Sequence, residues 1–137
     1  TTQGAGPPLK ADERIDAERA CLLFGNVRVE AFSDNEELLA RMWNDDKAAY
    51  KYINFGEGMD QFRIRVAPGM DGGRVDIALD QPWGRSIGYV DVDPEKPGEW
   101  QVLETSIKDV SGVHAVWLRF FGEGEDLLKV DWFEFGD

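Results

Sequence analysis

The feature that most narrows the fold is a two-residue alternation of apolar and polar side chains that keeps returning along the chain. It runs through AAYKYINF, QFRIRVAP, GRVDIALD, WQVLETSI, HAVWLRFF and KVDWFEF, with Gly, Pro, Asn and Asp clustered between them. In FRIRV, Phe62, Ile64 and Val66 face one way while Arg63 and Arg65 face the other. Successive side chains of a strand point to opposite faces, so each segment offers one face to a core and one to water. Strands of about five to eight residues at such spacing predict an all-β fold, an antiparallel β-sandwich or jelly roll.

One segment competes with that pattern. DNEELLARMW carries a candidate N-cap in Asp34 or Asn35, acidic residues in a first turn, and Leu38, Leu39 and Met42 at helical spacing. A turn or two of helix is expected there. The acidic cluster GEGED reads as a hairpin loop. The opening TTQGAGPPL is rich in Gly and Pro and poor in apolar residues, so residues 1–12 are assigned to a linker and residues 13–137 to one domain. A chain of 137 residues matches the common single-domain size of about 100 to 150 residues.

Charge excludes some partners. Fifteen basic residues against 27 acidic ones leave a formal net charge of −12, which opposes phosphate backbones and anionic membranes. No nucleic-acid or membrane partner is expected, and the chain is expected to be a monomer. No apolar run approaches the roughly 20 residues a membrane span requires, and no basic-then-apolar leader opens the sequence. The single cysteine, Cys21, has no CxxC partner and lies in the apolar run ACLLF, where it reads as a small buried hydrophobe.

Catalytic chemistry is scarce. His114, the only histidine, alternates with apolar neighbours in GVHAVW and reads as structural rather than as a general base. Carboxylates are too abundant for any two to stand out as an acid–base pair. Neither GEGMD nor GEGED is followed by the Lys and Ser or Thr of a phosphate loop. Trp100 is the residue that asks for an explanation, because in PEKPGEWQVLE a large ring sits beside a turn. It either begins a strand and points into the core, or is displayed as a flat face for a ligand.

The runs FGEGMDQFRIRVAPGMDGGRVDIALDQPWGRSIGYVDV and GEWQVLETSIKDVSGVHAVWLRFFGEGEDLLKVDWFEF, with RIDAERA upstream, resemble the family 6 carbohydrate-binding modules. The FG turn, RVA strand, GG turn, IG pair, WQ turn, GVH strand and DWF strand of that family occur here in order, over about residues 14 to 135. The resemblance implies a jelly roll that binds glycans as one module of a secreted polysaccharide-degrading enzyme. Sugar rings have C–H-rich faces and hydroxyl rims, so flat aromatic surface and fixed polar groups suit them.

Carried over residue by residue, the resemblance implies a cleft at the loop end of the sandwich. Gly98 and Trp100 match its GGWQ turn, with Glu99 in place of the second glycine, and Trp100 becomes a stacking residue. Glu30 falls where a glutamate meets sugar hydroxyls. Arg41 stands where a tyrosine faces that tryptophan, and Trp43, two residues on, is expected on the same side. Lys129 replaces the usual asparagine. A second surface on the concave sheet face needs an aromatic near Lys47, and none is there, so no site is placed on it. The resemblance further implies a structural Ca²⁺ held by Asp16, Glu18 and Asp131, whose hard oxygens suit that ion.

Of the other tryptophans, Trp132 is expected to be mostly buried, and Trp83, in the turn DQPWGRS, is either an exposed interaction residue or a lid over the sandwich edge. Three functions remain open. The first is a binding module for plant or algal cell-wall polysaccharide of xylan or β-glucan type, tethering an attached catalytic module. The second is a structural or docking domain of the same fold with weak or no glycan binding. The third is a free-standing glycosidase, which lacks a positioned acid pair.

Overall fold

The computed structural model describes residues 9–33, 36–94, 97–123 and 126–137. They form two six-stranded sheets packed face to face. One runs β1 (Leu9–Lys10), β6 (Asp46–Asn54), β11 (Val113–Phe121), β8 (Gly73–Leu79) and β9 (Ser86–Val92), with β3 (Leu22–Phe24) also on β6. The other runs β10 (Gln101–Val110), β7 (Met59–Pro68), β12 (Leu128–Gly136), β5 (Glu36–Ala40) and β4 (Arg28–Ser33), with β2 (Ile15–Asp16) on β12. All pairings are antiparallel except that of β1 with β6. Ala17–Arg19 make one turn of 3-10 helix. No helix among the described residues is long and apolar enough to cross a membrane.

The alternation in the sequence is the alternation of the sheets. Phe62, Ile64 and Val66 of β7 are buried between the layers, and Arg63 and Arg65 stand on the outer face. The centre is aromatic: Phe133 meets Tyr50 edge-on at 4.7 Å between ring centroids, and Phe135 meets Phe55 at 4.8 Å. Tyr50 belongs to one sheet and Phe133 to the other, so the edge-to-face pair ties the layers together. The buried Tyr50 hydroxyl donates to the Ala17 carbonyl at 2.6 Å, and burial pushes its pKa well above the usual value. At the sandwich edge, β9 passes so close to β10 that a Cβ on Gly88 would lie 2.6 Å from Ile107 Cγ2. Only glycine fits that seam.

Three expectations change. The segment expected to turn as a helix is β5, hydrogen-bonded to β4 on one side and β12 on the other. Leu39 enters the core while Leu38 and Ala40 are covered on the opposite face. A strand buried on both faces shows no apolar–polar alternation, and its apolar run imitates helical spacing. Asp34 and Asn35, the expected caps, lie outside the described residues. GEGED is no hairpin: it joins β11 in one sheet to β12 in the other. The fold also starts before residue 13, since Leu9–Lys10 pair with β6. The buried Ala11 donates to Asn54 at 3.0 Å and accepts from Phe135 at 2.8 Å, bridging the two sheets by backbone alone. Residues 1–8 lie outside the described part.

Smaller apolar clusters sit on the outer faces. Trp117 packs with Ala49, Ala78 and the half-buried Cys21, beside Phe24. Trp132 is buried as expected, but from outside: its register partner is Arg65, and the Arg14 guanidinium lies 3.9 Å over its ring. Trp83 is 76% exposed, so of its two readings the exposed one holds. Its turn is rigid, because Arg119 donates to the carbonyls of Pro82 and Gly84 at 3.2 and 2.8 Å and to the buried Asp76 at 2.6 Å.

Candidate functional site

A cleft of about 320 Å³ opens at one end of the β10–β7–β12–β5–β4 sheet. Glu30 comes from β4, Arg41 from the residue after β5, and Lys129 from the start of β12. Ala67, on β7, forms part of the lining between them. Two further lining residues, Met70 and Asp126, carried no signal in the sequence beyond their place in turns.

Backbone hydrogen bonds run round the rim. Leu127 donates to Met42 at 2.9 Å, Gly69 to Leu127 at 2.8 Å, and Gly98 to Pro68 at 2.8 Å. The loop carrying Arg41 is anchored again by Asp46, whose buried carboxylate accepts from the amides of Asn26 at 2.8 Å and Trp43 at 2.9 Å. Gly25, with φ of 95°, leaves that carboxylate its room, because a Cβ there would overlap it. A cleft held this way is formed before any ligand arrives, which lowers the entropy lost on binding.

Arg41 and Glu30 form an ion pair across the cleft. The hydrogen bond to Glu30, then its charge and that of Asp126, push the Arg41 pKa above its ordinary value. Arg41 has φ of 64°, the left-handed region that non-glycine residues seldom occupy. That backbone breaks the two-residue period on which the expectation for Trp43 rested. Trp43 is 41% exposed but does not line the cleft.

Trp100 does not itself line the cleft, though it follows the lining residues Pro97 and Gly98. One step beyond the Gln101↔Val66 pair it falls opposite Ala67, whose partner on the other side is Lys129. Indole, alanine and lysine thus share one row across three strands, with about 10 Å of backbone between the outer two. The indole is half-buried, and the Arg65 guanidinium lies 4.4 Å from its centroid. Arg65 in turn donates to Asp131 at 2.6 Å. Glu30, Arg41 and Lys129 are brought together, and Trp100 is brought alongside.

The acidic trio fits a hard cation in part. One oxygen of Glu18, Oε1, is buried without a hydrogen-bond partner. Burial, with the charges of Asp16, Glu37 and Asp131, raises the Glu18 pKa. Asp131 is already engaged by Arg65, and no group of three acidic, histidine or cysteine side chains among the described residues is gathered tightly enough to hold a metal ion. Both ring nitrogens of His114 are engaged: Nδ1 lies 3.0 Å from Asp80 and Nε2 2.8 Å from the Ser111 carbonyl.

The family model of carbohydrate binding module (family 6) matches residues 24–137. The chain belongs to that family. It is therefore a non-catalytic carbohydrate-binding module of β-sandwich jelly-roll fold. The module is 30% identical over 105 residues to an arabinoxylan arabinofuranohydrolase of Bacillus subtilis (strain 168), covering 74% of this chain and 20% of that protein. It is 34% identical over 96 residues to an arabinoxylan arabinofuranohydrolase of Paenibacillus polymyxa, covering 67% of this chain and 15% of that one. Among solved structures, a family 6 module from Clostridium cellulolyticum in complex with xylose superposes with a TM-score of 0.82 at 30% identity, covering 93% of this chain and 99% of that one. The chain spans a fifth or less of the length of the two hydrolases.

Proposed function

We propose that the module binds a xylan-type cell-wall polysaccharide in the loop-end cleft and holds an attached glycoside hydrolase against it, as part of a secreted enzyme. The observation that carries this reading is the convergence of Glu30, Arg41 and Lys129 on one preformed cleft, with Trp100 on the same row of the sheet. The hydrolases it resembles are named for arabinoxylan, which supports the glycan class. Tethering raises the effective concentration of a catalytic module at the polymer surface.

Affinity electrophoresis tests it. Migration should slow in gels containing arabinoxylan, more than in gels containing β-glucan, and not in gels without polysaccharide. Equal migration in every gel would sink the reading. It would favour the docking alternative, for which Leu22, Leu23 and Phe24, 38%, 37% and 47% exposed on β3, offer apolar surface.

We also propose that Ca²⁺, when bound, seats on the unpartnered buried oxygen of Glu18 and draws in Asp16 and Asp131, the latter leaving Arg65. An ion bound only to the folded state stabilises it by about 2.7 kcal/mol at a hundredfold excess over Kd. The melting temperature should therefore rise with added calcium and fall in chelator. The shift should vanish in Glu18→Gln. Identical melting curves in calcium and chelator would remove the ion.

A further inference from the structure

We propose that the cleft selects a carboxylated sugar, a uronic acid borne by the xylan chain, through the ammonium group of Lys129. This rests on the xylan reading and deepens it. In a protein with 27 acidic and 15 basic residues, cations find carboxylates easily. Arg65, Arg74 and Arg119 each hold one, Arg63 holds two, and within the cleft Arg41 is paired with Glu30. Lys129 lines the same cleft, is exposed, and pairs with no carboxylate among the described residues. Its charge is available to a ligand and that of Arg41 is not.

Position adds to charge. Ala67 is the partner of Lys129 on β7, and Ala40 follows Leu39, the β5 partner of Val130, so small side chains flank the lysine on both sides. A sugar ring stacked against Trp100 over Ala67 carries its rim substituents toward Lys129. The exocyclic carboxylate of a uronic acid projects from that rim and accepts a charge-assisted hydrogen bond, where the hydroxymethyl of a neutral hexose accepts a weaker one. The net charge of −12 repels polyanions at a distance, but a Debye length of about 8 Å at physiological salt leaves contact charges to decide.

The test compares glucuronoxylan with the same polymer after its carboxyls are reduced to alcohols, measuring dissociation constants by affinity electrophoresis. The native module should bind the carboxylated polymer about two- to fivefold more tightly, the range of an exposed ion pair, and the ratio should shrink as salt rises. In Lys129→Met the ratio should fall to one, whatever the absolute affinity. In Lys129→Arg it should persist. Equal binding of the two polymers by the native module, or a preference that survives in Lys129→Met, overturns the inference while leaving the xylan reading standing. Binding of neither polymer overturns both.

Discussion

Trp100→Ala is expected to weaken glycan retention roughly 30-fold, the effect of losing an aromatic anchor worth about 2 kcal/mol. The same change should cost folding much less. Full burial of an aromatic ring puts its truncation at about 3 to 5 kcal/mol, but this indole is half-buried and one of its contacts is the Arg65 guanidinium. About 1 to 2 kcal/mol is expected, since Arg65 keeps Asp131 after the ring is gone. Denaturant titration and affinity gels on one preparation separate the two effects. A variant that unfolds at low denaturant would make Trp100 a core residue, and one that still binds fully would remove it from the site.

Phe133→Ala should show the reverse. Its ring touches Tyr50, Phe62 and Phe135, and none of its surface is exposed. Truncation leaves a cavity between the sheets that neighbouring rings fill only in part, costing about 3 to 5 kcal/mol. That is a large share of the about 5 to 15 kcal/mol by which such domains are stable. The midpoint of urea unfolding should drop with little change in slope, and the fraction still folded should bind glycan normally. A shift under about 1 kcal/mol would mean that the layers are not held together at Phe133.

Where one face of a strand meets water, the sequence shows it, as along β10 and the first half of β7. β6, β8 and β11 were read as strands despite runs of consecutive buried residues such as 115–118. β5 was not, because Leu38 and Leu39 point to opposite faces and both are covered. β1 left no mark because Ala11 joins the sheets through its backbone, which any residue carries. At the candidate site, Glu30, Arg41 and Lys129 were singled out by their place in a motif order, and the fold brings all three to one cleft; their side-chain chemistry alone would not have gathered them. The step from Arg41 to Trp43 failed because it assumed an extended backbone, and φ at Arg41 is 64°. Met70 and Asp126 enter the cleft through loop paths that no local pattern encodes.

That left-handed turn at Arg41 has a consequence for how the module changes under selection. An L-residue there costs about 1 to 2 kcal/mol that glycine would not incur. The exposed ion pair with Glu30 offsets little of that, because solvent screens surface charges. Thermostability and the shape of the proposed cleft, where Arg41 holds Glu30, therefore pull position 41 in opposite directions. A lineage or a directed-evolution campaign rewarded only for heat resistance would drift toward glycine, erasing part of the cleft while improving the fold. Variants sorted for binding would keep the arginine and tolerate its strain.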